Sequence, residues 1–461
     1  MQTLPGNIFR EYDIRGIAEK ELTDEVVESI GGAFGTYLSE RGVSRITIGG
    51  DVRHSTPRIK DAAIRGLTAA GIDVIDIGIV TTPILYWSLF HFDLNGGLMI
   101  TGSHNPKDMN GLKLACGKTT LYGEEIQKIR SIIEKDEITQ APQKGKVTRA
   151  DISDEYVQML LSKIQLGKKK LKVVVDSGNG TAGMNIGAFL EGLGCTMIPL
   201  FCEPDGDFPN HHPDPLKREN LAFVIEEIKK NNADLGIAFD GDADRIGVVN
   251  DKGEVVWGDT LMSLYWREIL PKNPGAVAII EVKCSQALED EILRLGGKPY
   301  YWKAGHSLIK AKMKELNALF SGELSGHMFF ADEYFGFDDS FYAAGRLLRI
   351  LSNSEKSLSE LLSDMPVYYS TAEIRVDCPD DRKFDVIEKI KKEAMKDHET
   401  ITIDGVRIIY DEGWGLVRAS NTQPVMVTRC EGRTQEALDK ITSDMKKRML
   451  DAGLPDFEWT Y

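Results

Sequence analysis

Asp240, Asp242 and Asp244 stand at alternate positions, with only Gly241 and Ala243 between them. Three carboxylates packed this closely repel one another unless a cation sits among them, and an all-oxygen ligand set suits Mg²⁺ or Mn²⁺. Gly241 gives the backbone the curvature that lets the three side chains converge. A solvated acidic turn has the same spacing. The segment follows the apolar run 235–239 and precedes another at 246–249, so it lies at a strand end, which favours the metal. Arg245 beside it is a natural phosphate clamp, because a planar guanidinium pairs with two phosphate oxygens at once.

Ser103 offers a second chemistry. It ends an apolar run in Met99-Ile100-Thr101-Gly102-Ser103-His104-Asn105-Pro106, a place that suits a nucleophile or a phosphate carrier. An ordinary turn also explains the segment, since Asn-Pro favours turn initiation. His104 invites a Ser–His hydrolase reading, but adjacent side chains rarely face each other and no G-x-S-x-G elbow is present. Lys113, in Asn110-Gly111-Leu112-Lys113, lies within reach of the same loop.

Two further segments are weaker alone. In Gly322-Glu323-Leu324-Ser325-Gly326-His327, an extended backbone projects Glu323, Ser325 and His327 to one side, which suits gripping sugar hydroxyls. A strand-end turn explains it equally well. Arg418-Ala419-Ser420-Asn421-Thr422 places a guanidinium, two hydroxyls and an amide together, either as a phosphate-holding loop or as a polar turn. Lys283 and Gly305-His306-Ser307 add candidate cations, whereas His211 and His212 lie in a proline-rich turn and read as positional.

Short apolar runs alternating with amphipathic stretches must position these residues, and that alternation indicates an α/β fold. Strands are expected at 45–49, 74–77, 97–100, 172–175, 235–239 and 276–281, and helices at 57–70, 151–165 and 221–231. Three times an apolar strand ends in a polar turn and helix, and a later strand runs into one of the motifs at 101–106, 240–245 and 322–327. Ligands of α/β sheets bind beyond the carboxyl ends of strands, so three related units sharing one cleft are a natural architecture. α/β chains in general also look self-similar at this resolution. After about residue 362 the pattern changes to strand, helix, strand, strand, helix, a fourth and smaller α+β domain.

The 461 residues carry 56 basic and 71 acidic side chains, a net charge of −15, which disfavours non-specific nucleic-acid binding. Hydrophobic residues at 42% and charged residues at 28% are those of a globular chain. No apolar run reaches the roughly 20 residues of a membrane span, and the N-terminus lacks a signal pattern. Six scattered cysteines with no CxxC read as reduced thiols, and a cytoplasmic enzyme without membrane or nucleic-acid partners is expected.

Taken in order, the serine loop, the aspartate loop, the hydroxyl-reading loop and the phosphate loop resemble the α-D-phosphohexomutase superfamily along essentially the whole chain. Phe9-Arg10-Glu11-Tyr12-Asp13-Ile14-Arg15-Gly16 and the GELSGH form of the third loop resemble its phosphomannomutase/phosphoglucomutase branch. The resemblance implies three related α/β domains with mixed sheets (1–150, 151–252 and 253–362) and a smaller C-terminal α+β domain (363–461) around a central cleft. It implies interconversion of hexose 1-phosphate and 6-phosphate, with mannose and glucose favoured over glucosamine, through a hexose 1,6-bisphosphate.

In that scheme Ser103 is a phosphoserine, and Mg²⁺ is bound by Asp240, Asp242, Asp244 and an oxygen of the Ser103 phosphate. Arg245 offsets charge on the transferring group, and Arg15 and Lys113 flank the reacting hydroxyl, with Lys113 as proton carrier. His306 and His327 are further candidates for the catalytic set. Tyr12, Lys283, Glu323 and Ser325 contact substrate, while Arg418, Ser420, Asn421, Thr422 and Arg429 hold the phosphate that is not reacting. Oligomeric state is left open. Leu324 stands in the third loop where many relatives carry Met of similar volume, so little effect on the pocket is expected, and Gln423 and Cys430 depart from common family residues at positions not assigned to substrate contact. Two other readings stand beside this one. Asp240-x-Asp242 also resembles the aspartyl-phosphate loop of haloacid-dehalogenase phosphatases, which leaves Ser103 and the Arg418 loop unexplained. A sugar-phosphate-binding protein needs no metal loop paired with a serine loop.

Overall fold

The computed structural model of the chain describes residues 4–420 and 424–460, which form two compact units. The first comprises residues 1–261 and 325–362, and the second 262–324 and 363–461.

Two mixed sheets organise the first unit. One runs in the order Ile14–Ile17, Met109–Cys116, Gly96–Ile100, Arg45–Gly50, Asp73–Ile79, Val147–Arg149, with Thr119–Thr120 paired to Met109–Cys116. Gly96–Ile100 pairs in parallel with Arg45–Gly50 and antiparallel with Met109–Cys116. The other has the order Val255–Val256, Ile246–Asn250, Leu235–Phe239, Lys172–Asp176, Thr196–Leu200. Leu235–Phe239 pairs in parallel with Lys172–Asp176 and antiparallel with Ile246–Asn250. The two site loops, 101–108 and 240–245, therefore occupy equivalent places, each turning a buried strand back along an antiparallel neighbour at the carboxyl edge of a parallel pair.

The strands are apolar on both faces because helices cover them, as parallel sheets require. Leu235–Phe239 is buried at all five positions. The flanking helices start where short polar side chains cap them: Thr23 accepts from the amide of Val26, and Thr81 from that of Ile84. Observed strands match the expected ones to within two residues at either end, and the helices Thr56–Ala69, Ser153–Lys163 and Ala222–Asn231 lie inside or within a residue of their expected ranges. Residues 325–362 add the helix Ser340–Ser352, whose cap Asp339 accepts from the amide of Tyr342.

In the second unit Val277–Glu281 pairs in parallel with Lys298–Trp302, flanked by the helices Gln286–Arg294 and His306–Leu316. The C-terminal sheet is antiparallel, in the order Tyr369–Ser370, Val425–Gly432, Gly413–Ala419, Val406–Tyr410, Glu399–Ile401, with Ile374–Asp377 also on Val425–Gly432. Its core joins Val376, Ile408, Val417 and Met426 to Ile390, Ile441 and Met445 of two helices, Lys383–Ala394 and Gln435–Asp451. The strand, helix, strand, strand, helix order expected here is too simple. Two short strands precede the first helix and four follow it, because tight turns at 402–405 and 411–412 divide what reads as longer runs. All six cysteines are free thiols, and no helix among the described residues is long and apolar enough to cross a membrane.

Candidate active site

The serine loop and the aspartate loop meet within the first unit. Ser103 Oγ donates to Asp240 Oδ2 at 2.8 Å, and both residues are buried. Ser103 holds φ at 49°, a left-handed conformation that costs a non-glycine residue on the order of 1–2 kcal/mol and must be held by its surroundings. The approach is close enough that a Cβ on Gly241 would stand 2.5 Å from the carbonyl oxygen of Ser103, so glycine is required there.

His104 Nδ1 lies 3.1 Å from Ser103 Oγ, contrary to the expectation that neighbouring side chains do not meet; the left-handed turn at Ser103 folds the two together. Burial, then Arg245 and Arg15, push the His104 pKa well below its ordinary value, so the ring is neutral. The hydroxyl proton of Ser103 is directed to Asp240, which leaves His104 facing an oxygen lone pair rather than positioned to take that proton.

Asp240, Asp242 and Asp244 converge as their spacing suggests, with one oxygen from each within 4.8 Å of the others. Burial, followed by the charges of Asp244 and Asp242, raises the Asp240 pKa well above the usual carboxylate range. Burial is also the largest influence on Asp244 and acts to raise its pKa, but Lys113, His327 and Arg245 together outweigh it and the value is lowered. Thr82 Oγ1 donates to Asp242 Oδ2 at 2.6 Å, and Lys113 Nζ donates to the same oxygen at 2.7 Å and to Asp244 Oδ2. The Oδ1 atoms of Asp242 and Asp244 are buried with no hydrogen-bond partner. Desolvated carboxylate oxygens without donors are costly, and their convergence fits a hard divalent cation.

Lys113 is an ammonium here: burial opposes its charge, but Asp242 and Asp244 more than offset that and raise its pKa. Arg15 Nε donates to Asp13 Oδ2 at 2.5 Å; burial opposes the charge of the guanidinium, but Asp13, half-buried Tyr12 and Asp242 together outweigh it and raise its pKa. Arg245 donates from its backbone N–H to Asp240 Oδ1 and from Nε to His327 Nε2 at 3.0 Å. With Nε2 accepting, the ring proton sits on Nδ1, 3.2 Å from Asp338 Oδ2 and 3.7 Å from Asp244 Oδ1. The 322–327 segment is not the extended run expected. Residues 324–325 form a turn and Gly326 has φ 89°, which breaks the alternation; Ser325 is half-buried and His327 buried.

The second unit holds the remaining candidates. Glu323 Oε1 accepts from the amide of Gly305, the residue before buried His306. Lys283 Nζ lies 3.2 Å from Glu373 Oε2 and 3.8 Å from Glu281 Oε1. Lys283 is the main cause that draws the Glu373 pKa down to about 2. Arg418 Nε donates to Asp404 Oδ2 at 2.9 Å, and Arg429 Nη1 to the carbonyl of Lys283 at 2.6 Å. The carbonyl of buried Ser420 accepts from Lys383 Nζ. Asn421 and Thr422 lie outside the described residues.

Sequence reasoning missed Asp51, Arg53, Thr82, Asp338 and Glu281 as supporting residues. The one signal for the first two is their place in the turn after an apolar strand.

Four family models match the chain in order: "Phosphoglucomutase/phosphomannomutase, alpha/beta/alpha domain I" over residues 6–140, domain II over 154–253, domain III over 257–369, and "C-terminal domain" over 373–448. A phosphomannomutase/phosphoglucomutase of Pseudomonas aeruginosa is 46% identical over 456 residues, covering 98% of each chain. A phosphoglucomutase of Neisseria gonorrhoeae is 44% identical over 449 residues, covering 97% of each. The crystal structure of a phosphoglucomutase/phosphomannomutase family protein from Burkholderia thailandensis matches with a TM-score of 0.92 at 38% identity, covering 100% of both chains.

Proposed function

The chain belongs to the phosphoglucomutase/phosphomannomutase family and is a phosphohexomutase, and from that premise we propose how its residues carry the interconversion of hexose 1-phosphates and 6-phosphates. The observation that carries the proposal is the hydrogen bond from Ser103 Oγ to Asp240, in a cluster with two further desolvated, unpartnered carboxylate oxygens.

Ser103 carries a phosphoryl group. The bond between phosphorus and Ser103 Oγ breaks as one forms to the free hydroxyl of a hexose monophosphate. The product is a hexose 1,6-bisphosphate, which turns end for end and returns its other phosphate to Ser103. Asp240, Asp242 and Asp244 would hold Mg²⁺, which supplies positive charge to the transferring group. Arg245, fixed by His327, faces that group from the protein side. Lys113 and Arg15 hold the reacting hydroxyl, and Lys113 Nζ relays its proton: the ammonium gives one proton to the Ser103 oxygen that loses the phosphoryl group and takes the hydroxyl's in return, so it stays charged throughout. Glu323, Ser325 and Lys283, with Tyr12 and His306, bind the sugar phosphate. Arg418, Ser420, Asn421, Thr422 and Arg429 receive the phosphate that is not reacting. Asp240 already uses both oxygens, toward Ser103 and the Arg245 amide, which favours Ser103 over Asp240 as the nucleophile and speaks against the aspartyl-phosphatase reading.

Ser103→Ala tests this directly. Mutase turnover should fall by orders of magnitude and the phosphopeptide containing residue 103 should vanish. Near-normal turnover overturns the assignment.

A further inference from the structure

Arg53 has no part in the roles above, yet it is 1% exposed and directs its donors almost entirely at the serine loop. Nη1 donates to the carbonyls of Pro106 at 2.6 Å and Met109 at 3.0 Å, and Nη2 to those of Ser103 at 2.7 Å and Asn105 at 2.6 Å. Nε donates to Asp51 Oδ2 at 3.2 Å. The same Asp51 oxygen accepts from Thr101 Oγ1 at 2.8 Å and from the amide of Gly102 at 3.0 Å. Its other oxygen accepts from Thr56 Oγ1 at 2.6 Å and from the Arg53 amide. A Cβ on Gly102 would stand 2.4 Å from Arg53 Nε, so the guanidinium lies directly against the backbone that precedes the serine.

We propose that Arg53, braced by Asp51, is the positioning residue that holds the serine loop in its transfer geometry; this rests on the reading of Ser103 as phosphoryl carrier. The serine's own anchor does not survive the chemistry. Once Oγ is esterified it has no proton, and the hydrogen bond to Asp240 is lost. The four contacts of the Arg53 Nη atoms are to backbone carbonyls and are indifferent to that change. They hold Ser103 in its left-handed conformation in both covalent states. A guanidinium is required because its planar fork reaches several carbonyls at once, whereas an ammonium presents three donors from a single nitrogen.

The test is Arg53→Lys, measured beside Ser103→Ala. Arg53→Lys should lower kcat about 100-fold, the cost of misplacing a reacting group by an ångström, with KM within about threefold of the parent. Amide exchange in residues 101–109 should quicken. A kcat within threefold of the parent overturns the proposal. If Ser103→Ala itself remains active, the carrier reading fails instead, so the two failures are distinguishable. Should Arg53→Lys not fold, Asp51→Asn removes the ionic brace at constant shape. It should lower kcat about tenfold at unchanged KM, and an unchanged kcat overturns the proposal equally.

Discussion

Ser103 Oγ and Asp240 Oδ2 are 2.8 Å apart across 137 positions of sequence. That contact joins a loop of the first sheet to a loop of the second. It makes one site of two segments that each also read as ordinary turns.

The aspartate cluster should be a liability without its cation. Burial and two like charges raise the Asp240 pKa, so Asp240→Asn removes a repulsive charge. Its melting temperature in chelator should exceed that of the parent, by roughly 1 °C for about 1 kcal/mol relieved in a chain of this size. Added Mg²⁺ should raise the parent's melting temperature, by an amount equivalent to about 2.7 kcal/mol at a hundredfold excess over Kd. It should leave the variant unmoved. A variant that keeps the full Mg²⁺ shift argues against Asp240 as a ligand.

Gly241→Ala forces a Cβ to within 2.5 Å of the Ser103 carbonyl. Backbone cannot yield as a flexible side chain can, so the two loops must separate. We expect kcat to fall about 100-fold in a protein whose circular dichroism is that of the parent. Activity within a few-fold would show that the loops tolerate separation.

Arg407 is fully buried, donates from Nη1 to the carbonyls of Val282 and Cys284, and lies with its guanidinium carbon 3.7 Å from the Trp414 ring centroid. Together with Arg429 on the carbonyl of Lys283, it fixes three consecutive carbonyls of one turn. Arg407→Met keeps the bulk against Trp414 but strands two acceptors, at a cost of about 2–4 kcal/mol. A lower urea midpoint and a higher KM for hexose phosphate should result, since Lys283 sits at the centre of that turn. No change in midpoint would mean that the turn is held by other contacts.

Asp339 gives a pH signature. Burial pushes its carboxyl up to about 6, against hydrogen bonds from Tyr334, the Tyr342 amide and Tyr156. An unfolded Asp titrates near ~3.9, so the folded chain keeps this proton to higher pH. The stabilisation is fully present below about pH 4 and is lost as pH rises through about 6, on the order of 3 kcal/mol. The stability of Asp339→Asn relative to the parent should therefore improve between pH 4 and 7. A difference that stays flat across that window contradicts the assignment.

Much of the site is legible in the sequence because its chemistry is local. Asp240, Asp242 and Asp244 are spaced to converge, and Asp240 directly follows, and Ser103 follows within three residues, an apolar run that proves to be a buried strand. Arg53 is not legible, because its partners are carbonyls some fifty positions away and a carbonyl has no residue type to read. Asp338 is hidden for a similar reason: it lies against the His327 ring, and nothing in its neighbourhood in sequence announces that. The strands between 399 and 419 resist reading because turns of only a few residues separate them. The turn at 324–325 defeats the alternation argument because Gly326 takes a conformation that only the folded chain reveals.

Phosphorus NMR distinguishes phosphoryl transfer between sugar and Ser103 from transfer to water. The protein would be supplied with Mg²⁺, a trace of glucose 1,6-bisphosphate, and either mannose 1-phosphate or glucose 1-phosphate. The 1-phosphate signal should convert to the 6-phosphate signal with no inorganic phosphate, the two rates giving the sugar preference. Release of inorganic phosphate alone would contradict transfer through Ser103 and would make Asp240 the nucleophile of a phosphatase.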